Sequence, residues 1–100
     1  MKRMTFNDVL REMAELHERK NHDYGDSFSK SFAEFGLVSA VVRMSDKMER
    51  LKSLCRKDAL VEESVRDTLI DLACYAVMAY VELGDKFDVE YESINLIDYD

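Results

Sequence analysis

The chain has no proline, only three glycines and two cysteines, and no long apolar run free of charge. Each shortage removes a class of protein. With so few turn-forming residues, the short alternating segments of an all-β domain are missing, and Gly25, Gly36 and Gly84 fall at intervals that read as punctuation between helices. Cys55 and Cys74 form no CxxC or histidine-spaced set, so they are expected to be reduced packing residues. The most apolar stretch, Leu69 to Val81, is too short and too acidic just before its start for a membrane span, which takes about 20 predominantly apolar residues. MKRMTFNDVL at the N-terminus carries no apolar run of signal-peptide length, which gives a cytoplasmic location as the expectation.

Positive charge is also short. The net charge is −7, and residues 85–100 hold six acids against Lys86, so −5 of it lies in the tail and −2 in the first 84 residues. No basic face for a nucleic-acid polymer is expected from that balance, whereas a free nucleotide held by a few local cations is compatible with it.

What is present is helical. One hundred residues, 47% apolar and 35% charged, suit one small globular domain whose core is completed by a four-element helical fold or by an obligate oligomer. Thr5 followed by Asp8 resembles an acidic capping box, and Phe6, Val9, Leu10, Met13, Leu16 and Lys20 then follow helical spacing, which predicts a first helix over about 5–21. His17 rides at its apolar edge and has no second ligand at i+4, which suits packing or capping. NHDYGDSF, residues 21–28, reads as a polar loop: either a helix end closed by Asn21 and Gly25, or a place where His22 and Tyr24 meet a base. Phe28, Phe32 and Phe35 recur as one face of a short helix that plugs the core. After Gly36 a long helix is predicted to about Cys55, with Leu37, Val41, Met44, Met48, Leu51 and Cys55 as its apolar stripe and Arg43, Asp46, Lys47 and Arg50 on or beside the other face. The short connection 56–60 makes that helix the antiparallel neighbour of the next, 61–83. The fold class is therefore all-α: a bundle of three main helices plus a short one over residues 1–84, followed by an extended acidic arm over 85–100.

The helix 61–83 organises the rest. From Leu69 to Val81 every residue but Asp71 is aliphatic, aromatic, Cys or Ala, so the segment has to be covered on all sides by other helices or by a second subunit. That makes a homo-oligomer, most simply a dimer, the expected state. A lone carboxylate there costs several kcal/mol, on the order of magnitude, unless a cation compensates it. Asp67 lies one turn before Asp71 on the same face, so a metal or a basic side chain has to settle both.

HDYGDSF, then GLVSAVVRMSDKMERLKSL, then EESVRDTLIDLACYAVMAY, in that order and at these separations, resemble the type 1 nucleotide-modification-associated domain of phages and bacteria over about residues 18–82. That family looks in turn like a relative of the all-α nucleoside triphosphate pyrophosphohydrolases, the MazG-like and dimeric dUTPase group. Those enzymes form oligomeric helical bundles and hold Mg²⁺ through ExxE and ExxD motifs on successive helices. Here Asp46 and Glu49 form a DxxE, and Asp67 and Asp71 a DxxxD, in the corresponding places. The resemblance implies Mg²⁺ on Asp46, Glu49, Asp67 and Asp71, with Asp46 and Asp71 catalytic. His22, Asp23, Tyr24, Arg43, Lys47 and Arg50 would then contact a free nucleotide, modified or not. The implied reaction is hydrolysis of its phosphoanhydride by a metal-activated water. A nucleotide-sequestering protein with the same pocket and no turnover is the alternative, and the incomplete acidic motifs favour it.

Overall fold

A computed structural model describes residues 3–24, 26–56 and 62–86. They form four helices, α1 (Phe6–Tyr24), α2 (Ser27–Phe35), α3 (Leu37–Cys55) and α4 (Glu62–Lys86), with no strand among the described residues. The fold is all-α, with three long helices and one short one. Of the arm expected over 85–100, Asp85 and Lys86 instead continue α4, and residues 87–100 lie outside the described residues.

Local chemistry sets the helix starts. The Thr5 backbone N–H donates to Asp8 Oδ2 at 2.9 Å, the Asp8 N–H donates back to Thr5 Oγ1 at 3.1 Å, and Arg11 donates to the same carboxylate at 2.6 Å. This is the reciprocal box the sequence predicts, and it holds the Asp8 carboxyl below its usual pKa, first through the Thr5 backbone hydrogen bond. At the far end α1 continues through Tyr24, so Asn21, His22 and Tyr24 form its last turn and not a loop. Nothing before Gly25 disfavours helix, and a histidine suits the negative end of the dipole. Asp26 then takes left-handed angles (φ 62°, ψ 36°), a conformation that Asp tolerates better than most side chains, and α2 starts at Ser27.

Gly36 joins α2 to α3 at φ 75°, ψ −160°, a region open essentially to glycine alone. Its N–H donates to Phe32 O at 2.7 Å and closes α2, while its carbonyl accepts from Ser39 Oγ at 2.9 Å and starts α3. Gly84 does not punctuate as expected: α4 runs through it to Lys86. One glycine costs a helix about 1 kcal/mol, which a helix of this length absorbs.

α3 and α4 pack as an antiparallel pair, with α2 across both and α1 leaning lightly on α4. The core is Phe32, Ala40 and Ala79, flanked by Phe28, Met44 and Leu83. Both helices bury an alanine in this cluster, Ala40 from α3 and Ala79 from α4. Ala40 and Leu54 are buried, with Met44 and Leu51 partly so, whereas Leu37, Val41, Met48 and Cys55 of the expected stripe are exposed. The stripe is real in the sequence, but only part of it faces α4. α4 is likewise incompletely covered within one chain: Leu69 is about half exposed, and so are Val77 and Val81 on the flank toward α1.

Candidate functional site

The α3–α4 interface carries a polar seam in strict register. Arg43 lies over Tyr75, Lys47 pairs with Asp71, and Arg50 Nε donates to Thr68 Oγ1 at 3.3 Å. Thr68 is buried at 3% exposure and its hydroxyl donates a hydrogen bond to Ser64 O at 2.7 Å, so that end of the seam is satisfied. At the centre, the Asp71 carboxylate pairs with Lys47 Nζ at 3.3 Å and accepts a hydrogen bond from Lys20 Nζ at 3.5 Å, the second lysine arriving from α1. The carboxylate anticipated to need a cation therefore has two.

Both contacts are long, and Lys20 is about half exposed. Pairs of this kind contribute about 1 kcal/mol or less each. They aim the ammonium groups without using up their donors, three on each. Beside them the Arg43 guanidinium sits 5.9 Å from the Tyr75 ring centroid, and Tyr75 lies against Phe28 with centroids 6.0 Å apart and planes within 29°. Lys20, Arg43, Lys47, Asp71, Tyr75 and Phe28 line a concavity of about 210 Å³, with Leu16, His17, Asn21, Asp26, Ser27, Cys74 and Met78 completing its wall. A cation-rich hollow with an aromatic floor suits a small anion that carries a flat or apolar body.

A second cavity of about 430 Å³ opens where α1 leans off α4. Leu10, Met13, Ala14, Val77 and Val81 make it apolar, Ser29 and Glu82 stand at its polar edge, and His17, Asp26, Phe28, Cys74 and Met78 belong to both walls. Burial pushes the Cys74 thiol up; Lys20 draws it down and Asp71 raises it. Cys74 is thus a neutral packing thiol, as its position in the sequence suggested.

The residues singled out from the sequence divide into groups. Arg43, Lys47 and Asp71 come together in the hollow, and Arg50 sits beside it on Thr68. Asp46 and Asp67 are exposed, and Glu49 is exposed and paired with Lys52 at 3.0 Å. Among the described residues no three His, Cys, Asp or Glu side chains gather closely enough to hold a metal ion. Of the four expected ligands, only Asp71 lines the hollow. His22 lies on another face of α1, with Glu15, Glu18 and Arg19. The side chains of Asp23 and Tyr24 are outside the described residues.

Three members of the hollow were missed. Lys20 had a signal, because it continues the apolar stripe of α1, and a lysine there has to reach an anion. Tyr75 had a weaker one, standing at i+4 from Asp71. Phe28 read correctly as packing on the core, and it also lines both cavities.

Residues 20–83 match the sequence profile of a family described as nucleotide modification associated domain 1. The chain belongs to this family. The matched span of this nucleotide modification associated domain begins at Lys20 and includes every charged residue of the hollow. No curated protein and no solved structure matches the chain. Among the described residues no helix is long and apolar enough to cross a membrane.

Proposed function

We propose that this domain binds a free nucleotide, with phosphate oxygens on Lys20, Lys47 and Arg43 and the remainder of the ligand against Tyr75 and Phe28. The observation that supports this best is the meeting of two lysines, from α1 and α3, on one carboxylate of α4. Asp71 holds the ammonium groups at a common point, and a phosphate that enters beside it adds charge-assisted hydrogen bonds to donors already aimed. The family's description, association with nucleotide modification, agrees with such a ligand.

Binding without turnover fits the residues better than Mg²⁺-dependent hydrolysis. Asp71 is in the hollow, but Asp46, Glu49 and Asp67 are not gathered around it, so no hydrolytic step is drawn from this chain. Calorimetry with a nucleotide panel, with and without Mg²⁺, together with assays for released phosphate and pyrophosphate, tests this. The expected result is binding without metal, no release, and loss of binding in the Lys20→Ala, Lys47→Ala double variant. Mg²⁺-dependent release would replace the binding reading with the hydrolase.

The partner expected from the sequence, a second copy of the chain, is proposed to cover the apolar surface of α3. Support comes from Leu37, Val38, Val41, Val42 and Met48, all exposed on a helix whose opposite side is the core. Light scattering should give at least twice 11.7 kDa. Val41→Glu with Met48→Glu should give the monomer; a parent that is already monomeric at micromolar concentration removes the proposal.

A further inference from the structure

We propose that the domain selects nucleoside 5′-monophosphates and takes their base into the apolar cavity between α1 and α4, without a metal ion; this rests on the nucleotide-binding reading above. The first argument is charge. Lys20, Arg43 and Lys47 against Asp26 and Asp71 leave one net positive charge around the hollow. A phosphate monoester carries about −1.5 to −2 near neutral pH, of which that surplus offsets about half to two-thirds. A triphosphate adds two more charged phosphoryl groups and ordinarily relies on Mg²⁺ to neutralise them. Here no carboxylate cluster among the described residues would hold the ion.

The second argument is shape. The hollow, about 210 Å³, takes the phosphate and the part of the ligand next to it, while the cavity that shares His17, Asp26, Phe28, Cys74 and Met78 with it offers about 430 Å³. Together they fall in the range of pockets that enclose a small ligand, about 300–1,000 Å³. Apolar walls exclude water from a base, and Phe28 offers it a ring.

The third argument is polarity at the far edge. Ser29 Oγ donates to Glu82 Oε2 at 2.7 Å, which orients a carboxylate at the cavity rim. A carboxylate accepts several hydrogen bonds, so Glu82 is placed to receive ring or exocyclic N–H groups of a base. A purely lipidic ligand would leave that carboxylate unmatched.

The test is calorimetry in EDTA with the four deoxynucleoside 5′-monophosphates, the corresponding triphosphates, and ribose 5-phosphate. It is repeated on Ala14→Trp and Val77→Trp, two variants that fill the apolar cavity from opposite walls at positions already exposed. At least one monophosphate should bind about tenfold or more tighter than its triphosphate and than ribose 5-phosphate. Each tryptophan should weaken that monophosphate about tenfold while leaving ribose 5-phosphate unchanged. Tighter triphosphate binding, an affinity gain on adding Mg²⁺, or monophosphate binding that ignores folded tryptophan variants overturns this inference and leaves nucleotide binding standing. No binding of any phosphate probe removes both. If both variants unfold by circular dichroism, the monophosphate-to-triphosphate ratio of the parent alone decides.

Discussion

The two flanks of α4 are built differently. Against α3 it is closed: small residues meet at Ala40 and Ala79, and the polar groups between the helices are paired across in register from Arg43 to Arg50. Against α1 it is open, touching lightly and leaving two cavities that share a wall. One flank supplies stability and the other supplies space. Lys47 and Asp71 stand where the two meet, which is why the charged hollow forms there and not at the satisfied Arg50–Thr68 end.

The difference should be measurable. Phe32→Ala, on the closed side, removes the largest buried ring and should cost about 3–5 kcal/mol in denaturant unfolding. Met13→Ala, on the open side, should cost about 1 kcal/mol or less, because its side chain already borders a cavity. Equal costs would mean that α1 is packed as firmly as α3. Gly36→Ala puts a Cβ on a backbone at φ 75°, and its expected cost is about 1–3 kcal/mol although nothing crowds that Cβ within 4 Å. A silent substitution there would show that α2 and α3 can be joined in another conformation.

Asp71→Asn comes next in size. The carboxylate is partly exposed and its lysine contacts are long, so the stability change should stay within about 1 kcal/mol by thermal melting. Phosphate affinity should hold or rise, since a negative charge leaves the hollow. Loss of affinity together with loss of a Mg²⁺-dependent shift in the melting curve would instead identify Asp71 as a metal ligand.

The smallest effect lies at the start of α1. The folded Asp8 carboxyl has a lowered pKa, so its stabilisation is complete above the unfolded value near 3.8 and disappears as pH falls through the lower folded value. Asp8→Ala should therefore reduce helicity relative to the parent at pH 5, and the difference should shrink as acid protonates the folded carboxyl of the parent. A difference that persists in strong acid would mean that the box acts through something other than charge.

Much of this was legible before the fold. The Thr5–Asp8 box, the turn at Gly36 and the antiparallel pairing of α3 with α4 all follow from residues close in sequence or from one short connection. The demand of Asp71 for a cation was legible as well, because a lone carboxylate in an apolar stretch has no other resolution. The stripe Leu37, Val41, Met48, Cys55 was read as core because periodicity reports that a face is apolar and not which neighbour covers it. The loop assigned to 21–28 shrank because its polar residues tolerate helix and no breaker precedes Gly25. Asp46, Glu49 and Asp67 were grouped by motif spacing, which fixes a residue's face on its own helix but not the distance to a carboxylate on another.

The sequence by itself determined the helices, their caps and the need for charge compensation, since these depend on contacts within a turn or two of chain. Tertiary structure alone decided which cations answer Asp71. Lys20 is 51 residues away on α1 and Lys47 is on α3, and both reach it only because α1 and α3 each pack against α4. The cavities were decided in the same way: they lie where α1 packs only lightly on α4, which no residue period encodes.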